Sequence, residues 1–259
     1  MLAATATPRI ATDAPRMEAA ALHTVVEASA YFVGFRLFLR ERRRLALPVL
    51  ADTDRSVWIA FAAIAGAAIG AKLGYWIEDP LAAFAGFPDA RRLLEGKTIV
   101  GALLGGLVGV ELVKRVVGAH GSSGDAFALP LLVGIAIGRI GCYLSGLADH
   151  TYGNPSTLPW AVDFGDGIPR HPTQLYELAF LLALGLLLHA RRDAFVRAGD
   201  RFRAFMVAYL AFRLFVDPIK PVPYAYPGGL SGIQLLCVAG LCYYCRDLPR
   251  LGRGLWARS

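Results

Sequence analysis

Two arginines lie inside otherwise apolar stretches of this chain: Arg139, in Gly138-Arg139-Ile140-Gly141-Cys142, and Arg213, four residues before Asp217. A charge in the middle of a membrane-length stretch costs about 2.5–3.5 kcal/mol on insertion scales, so it reads by default as part of a functional site. Arginine keeps its charge at any accessible pH and holds a phosphate in a planar two-pronged fork. The four-residue spacing sets Arg213 and Asp217 on one helical face, where they can pair. Glu27, one turn before Tyr31, and Glu177, next to Tyr176, are further carboxylates in apolar surroundings. For Arg36, Lys72 and Glu111, snorkelling of a long side chain or an ion pair between helices is sufficient explanation.

A segment of about 25 residues without regular apolar periodicity separates Arg139 from Glu177, and segments of that length in compact proteins are commonly functional. It reads Asp149-His150-Thr151-Tyr152-Gly153, then Leu158-Pro159-Trp160, Asp163-Phe164-Gly165-Asp166-Gly167 and Arg170-His171-Pro172. His150 or His171, with an ordinary pKa of about 6.5, could take a proton from a thiol at neutral pH. Asp149 stands beside His150 and could orient it. Equally, His150 reads as a solvated loop residue and His171 as a hydrogen-bonding residue at a helix entry. Glu27 offers a buried carboxylate base, or a partner for Arg36 or another cation. Two buried arginines under a His-bearing loop are what a reaction at a phospholipid head group requires.

These side chains must be positioned by membrane helices. The chain has 259 residues, 56% of them hydrophobic, with a mean hydropathy of +0.47. Spans of about 20 residues are expected near 19–39, 56–77, 98–117, 126–147, 173–190, 203–217 and 229–245, the last three being short. This is an all-α, polytopic integral membrane protein with seven transmembrane helices, preceded by a polar segment 1–18 and followed by a basic tail 247–259. The polar start, with no short apolar core and cleavage site, predicts no removed signal peptide. With the N-terminus outside and the C-terminus cytoplasmic, inner segments carry 16 Lys and Arg and outer segments 7, as the positive-inside rule requires. The formal charge of +7 is therefore a matter of topology; Arg42-Arg43-Arg44 reads as a stop-transfer and lipid contact, not a nucleic-acid patch. Gly66, Gly70 and Gly74, then Gly101, Gly105 and Gly109, and Gly134 with Gly138, recur every four residues, a spacing that lets helix backbones approach in lipid. Cys237, Cys242 and Cys245 crowd the last span without the further ligands a zinc site needs and are read as reduced. Cys142 reads as a small packing residue, a covalent role being the less favoured alternative.

The blocks GRIGCYLSGL (138–147), LPW (158–160) and RHPTQLYE (170–177), then Phe212-Arg213 with an acid four residues on and Ser231-Gly232-Ile233-Gln234, resemble the bacterial prolipoprotein diacylglyceryl transferases over roughly residues 19–245. The resemblance implies seven spans in the bacterial cytoplasmic (inner) membrane. It also implies transfer of the diacylglyceryl group of phosphatidylglycerol to the thiol of a lipobox cysteine in a secreted precursor, with release of glycerol phosphate and no cofactor or metal. On that resemblance Arg139 and Arg213 grip the phosphate, Asp217 replaces a family Glu and orients Arg213, and Arg170, Tyr176 and Glu177 support the site.

The chain also departs from the family pattern. Val100 stands where the family has a histidine proposed to assist proton transfer, Cys142 where it has Asn, Leu147 where it has Glu, and Glu27 where it has Tyr. The phosphate half of the chemistry is retained, and the base is either relocated, to His150, His171 or Glu27, or the acceptor is different. The alternatives are a paralogue acting on another nucleophile and a non-catalytic lipid-binding or transport protein.

Overall fold

The structure is a computed structural model that describes residues 14–85, 96–195 and 197–256. Most of the polar N-terminal segment, 1–13, most of the connection between the second and third expected spans, 86–95, and the last residues of the basic tail lie outside them. Nine α-helices are described: α1 (Ala14–Leu45), α2 (Thr53–Glu78), α3 (Pro80–Ala85), α4 (Ile99–Val116), α5 (Asp125–Ser145), α6 (Thr173–Ala190), α7 (Asp200–Val216), α8 (Gly232–Tyr244) and α9 (Leu248–Trp256). Among the described residues, three helical stretches are long and apolar enough to cross a membrane: Thr53–Glu78, Asp125–Asp149 and Thr173–Ala190. At 1.5 Å per residue, α7 and α8 reach only about 26 and 20 Å.

Two helix pairs organise the fold, α1 against α5 and α2 against α4. The second pair is joined along its glycines, as the four-residue spacing predicts. A Cβ on Gly70 would lie 2.3 Å from the carbonyl oxygen of Gly101, and one on Gly66 would lie 2.4 Å from that of Gly105. Helices in lipid gain nothing from excluding water, so such close backbone packing is what holds them together. The third glycine spacing behaves differently: Gly134 faces the Ala30 carbonyl at 3.6 Å, while Gly138 meets nothing within 4 Å. Beside that open flank, Ile140 and Leu144 are exposed.

An apolar core lies among α4 to α8, with Leu181, Phe205, Met206, Tyr209, Leu210, Ile233 and Cys237 out of contact with solvent. The outer surfaces are apolar as well: Phe32, Phe35, Trp58, Phe61, Ile64, Leu186 and Phe215 are more than half exposed. Apolar surface on that scale needs a cover, and in a helical bundle whose backbone groups are satisfied internally that cover is a bilayer. All four cysteines are free, Cys237 in the core and Cys242 and Cys245 at the surface.

The helical expectation needs one correction, between α5 and α6. Val162–Asp163 (β1) and Pro169–Arg170 (β2) pair antiparallel, because Asp163 Oδ1 accepts from the N–H groups of Gly165, Asp166 and Gly167 and the two glycines turn the chain at positive φ.

Candidate functional site

The polar centre of the molecule is a carboxylate held between two guanidiniums. Glu177 sits in the second turn of α6 and is 2% exposed. Its Oε1 lies 3.0 Å from Arg139 Nε, and its Oε2 lies 3.1 Å from Arg213 Nη1. Tyr209 donates its hydroxyl to Glu177 Oε1 at 2.6 Å. Arg213 Nη2 reaches Asp217 Oδ1 at 3.5 Å, the pair expected from the four-residue spacing. Ser231 then donates its hydroxyl to the other oxygen of Asp217. The same hydroxyl accepts the Gln234 N–H in the capping box that starts α8. Four helices, α5 to α8, thus meet in one chain of ion pairs and hydrogen bonds.

Two donors in this cluster are left over. Arg213 Nε is buried and makes no hydrogen bond, and Arg139 Nε, close to Glu177 but poorly aimed, makes none either. A buried guanidinium donor without a partner is costly. Gln174, one turn before Glu177 on the same face of α6, is likewise buried with both amide atoms unbonded. Arg139 Nη1 also lies 3.7 Å from Cys142 Sγ, and Cys142 is half-buried on the open flank of α5.

The loop candidates are distributed around this centre. Asp149 accepts the Thr151 hydroxyl. His150 is exposed, in the left-handed region at φ 53°, with Tyr152 as its ring neighbour. His171 Nδ1 is 3.2 Å from the Tyr176 hydroxyl, which also accepts from Trp160 Nε1 at 2.8 Å. Its backbone bonds Gly153 and Asn154, the helix-entry role left open above. Arg170 is held by Asp166 through two bonds of 2.6 and 2.7 Å and lies 5.0 Å from the Tyr152 ring centroid. That double bond keeps the Asp166 carboxyl below the usual carboxylate range. Glu27 pairs with Lys97 and accepts from Tyr31 at 2.9 Å, so Lys97 is a cation partner for it.

Sequence reasoning did not single out Tyr209, Gln174 or Lys220. Tyr209 lies four residues before Arg213, one helical turn, and that spacing is the signal that could have found it. Lys220 follows Asp217 by three residues in the turn after α7. Val100 is 1% exposed, packed in the same apolar cluster as Tyr209 and Ile233, so no ionisable group occupies that position.

The sequence profile of the family described as "Prolipoprotein diacylglyceryl transferase" matches residues 19–245. A phosphatidylglycerol--prolipoprotein diacylglyceryl transferase of Nitratidesulfovibrio vulgaris (strain DSM 19637 / Miyazaki F) is 34% identical over 217 residues, covering 78% of this chain and 74% of the relative. One of Verminephrobacter eiseniae is 31% identical over 258 residues, 87% and 90% of the two chains. One of Geobacter sulfurreducens is 32% identical over 218 residues, 79% and 77%. No solved structure matches the chain.

Proposed function

Because this chain belongs to the prolipoprotein diacylglyceryl transferase family, we propose that it transfers the diacylglyceryl group of phosphatidylglycerol to the thiol of a lipobox cysteine. In this reading the thiol sulfur attacks the glyceryl carbon next to the phosphate, and the carbon–oxygen bond breaks. Glycerol phosphate leaves carrying one more negative charge than it had as a diester. The protein's part is to meet that growing charge with preorganised donors in a site that excludes water.

The observation that carries this reading is the convergence of Arg139 and Arg213, from different helices, on Glu177 with a buried Nε left unbonded on each. The carboxylate keeps two like charges close together before the lipid arrives, and the unbonded Arg213 Nε offers its phosphate a donor. The open flank of α5 at Gly138, with Ile140 and Leu144 exposed beside it, gives acyl chains a sideways way in. We place seven spans in the bacterial inner membrane, N-terminus outside and C-terminus cytoplasmic, with the arginine cluster toward the outer leaflet. The charge asymmetry of the loops supports that orientation. Arg170, engaged by Asp166, is proposed to shape the loop over the head group, with Tyr176 and His171 holding its base.

A second reading, a lipid-binding protein without turnover, is favoured by one observation: the apolar burial of Val100. Purified protein incubated with phosphatidylglycerol and a lipobox peptide separates the two. We expect the diacylglyceryl thioether and free glycerol phosphate by mass spectrometry. Arg139→Ala and Arg213→Ala should each lower the rate by about 10²–10³-fold, as loss of a charge-stabilising donor does. Lipid bound stoichiometrically with no thioether, alongside an active relative, would select the second reading.

A further inference from the structure

The chain has two glutamines, Gln174 and Gln234, and both are buried. Gln234 is engaged at both ends of its amide: Oε1 accepts the Ser231 N–H at 3.0 Å, and Nε2 donates to the Leu214 carbonyl at 3.3 Å. Gln174 is 1% exposed, and neither of its amide atoms has a hydrogen-bond partner among the described residues. A group with two donors and a two-lone-pair acceptor is thus enclosed with nothing bound to it. Buried polar groups in native proteins are nearly always paired, and an unpaired one is costly.

The helix fixes where this amide sits. Gln174, Glu177, Leu181, Leu184 and Leu188 are all buried and recur at helical spacing, so they form the inward row of α6. Leu182, Leu186 and Leu187 face outward and are exposed. Gln174 therefore stands one turn before the carboxylate that holds Arg139 and Arg213, in the same row. Side chains on a helix lean toward its N-terminus, so the Glu177 carboxylate lies beside the turn that carries Gln174. The Gln174 amide lies beyond it, toward the start of α6. With α6 entering from the outer side, a head group projects that way from a phosphate held at the arginines.

The arginine pair reads a phosphate, which every phospholipid has, so choosing among head groups needs another reader. Other polar side chains of this region are committed: Tyr209 to Glu177, Ser231 to Asp217, Thr173 to the Thr151 carbonyl, and His171 and Trp160 to the Tyr176 hydroxyl. We propose that Gln174 selects the glycerol head group, its Nε2 donating to one hydroxyl of the vicinal diol and its Oε1 accepting from the other. The inference rests on the transferase reading and adds to it the residue that chooses the lipid. An ethanolamine head group brings donors only and leaves Nε2 unpaired; a plain alkyl head group leaves both amide atoms unpaired. A site built to bond a hydroxyl rejects the analogue that lacks it for this reason.

The test compares phosphatidylglycerol with phosphatidylpropanol of the same acyl chains, which keeps the phosphodiester and lacks both hydroxyls, using the full-length protein and a lipobox peptide. Wild-type protein should favour phosphatidylglycerol by about 10–10²-fold in kcat/KM. Gln174→Met, of similar length and without polar atoms, should lose about that factor with phosphatidylglycerol and stay within about threefold with phosphatidylpropanol, so the preference collapses. Without lipid the variant should unfold at the wild-type temperature or above, because it removes a buried amide that bonds nothing. A wild-type protein indifferent to the two lipids, or a preference that survives the substitution, would overturn the assignment. Equal losses with both lipids and a lower unfolding temperature would do so as well, marking a packing role. Wild-type protein without turnover on either lipid would instead overturn the transferase reading, and the ratio of the two lipids' binding affinities, with the same variant, would then decide the role of Gln174.

Discussion

The α2–α4 seam and the α5–α8 charge cluster solve opposite problems in the same bundle. The seam has no side chains at its centre: Gly66, Gly70, Gly101 and Gly105 bring backbone onto backbone. The cluster is all side chain, with Arg139, Glu177, Arg213 and Asp217 each 6% exposed or less. Close packing stabilises cheaply but can do no chemistry. Buried ion pairs hold chemically useful groups in place, yet often contribute little net stability because desolvation offsets their attraction. One region gives the bundle its rigidity and the other spends it.

That contrast breaks most easily at its centre. Removing one member of a buried ion network leaves the rest uncompensated, so Glu177→Gln should cost about 3–5 kcal/mol. Arg139 would then lose its carboxylate partner, and Arg213 would keep only Asp217 at 3.5 Å. Thermal unfolding in detergent should show the loss, and added phosphatidylglycerol should restore part of it by supplying an anion. A lipid-independent loss would mean that the arginines are not an anion site.

The seam should fail differently. A methyl group at Gly70 would meet only backbone, 2.3 Å from the Gly101 oxygen and 2.7 Å from the Gly105 Cα. Gly70→Ala must therefore push the helices apart, at about 1–3 kcal/mol, the usual cost of overpacking. Stability should fall while the rate per folded molecule stays near wild type; a rate loss as large as that of an arginine variant would erase the distinction between the two regions.

The smallest effect belongs to the loop. The Arg170 hydrogen bonds hold the Asp166 carboxyl low, so the folded loop binds fewer protons than the unfolded chain only in acid. Its contribution is fully present above the ordinary carboxylate pKa of about 3.9 and is lost as pH falls through the lowered value. Hydrogen exchange at the Gly165–Ile168 amides should stay constant from neutral pH down to about 5. Opening already at pH 6 would show that a group other than Asp166 controls the loop.

Much of this was legible in the sequence wherever the relevant contact lies within one helix. The Arg213–Asp217 pair and the glycine seam both follow from helical spacing alone, and so do the positions of the long apolar helices. Contacts between helices were not legible. Glu177 reads as a lone acid until α5 and α7 are placed on either side of it, and Glu27 has a cation partner 70 residues away in Lys97. Lys220 and Asn154 meet across 66 residues. Tertiary arrangement also decides that Gly138 faces open space while its counterparts in α2 and α4 do not.

The charge cluster also sets an order of assembly. Arg139 is synthesised before Glu177 by 38 residues, roughly 2–8 s of translation at 5–20 residues per second. The Ser231 hydroxyl that completes the chain comes later still. Through that interval the Arg139 guanidinium has only Asp149, at the end of its own helical stretch, as a counter-charge, and is a poor resident of lipid. The nascent helix must wait at the interface or inside the insertion machinery until α6 arrives, so biogenesis has a checkpoint written in charge: α5 can settle only when its carboxylate has been made.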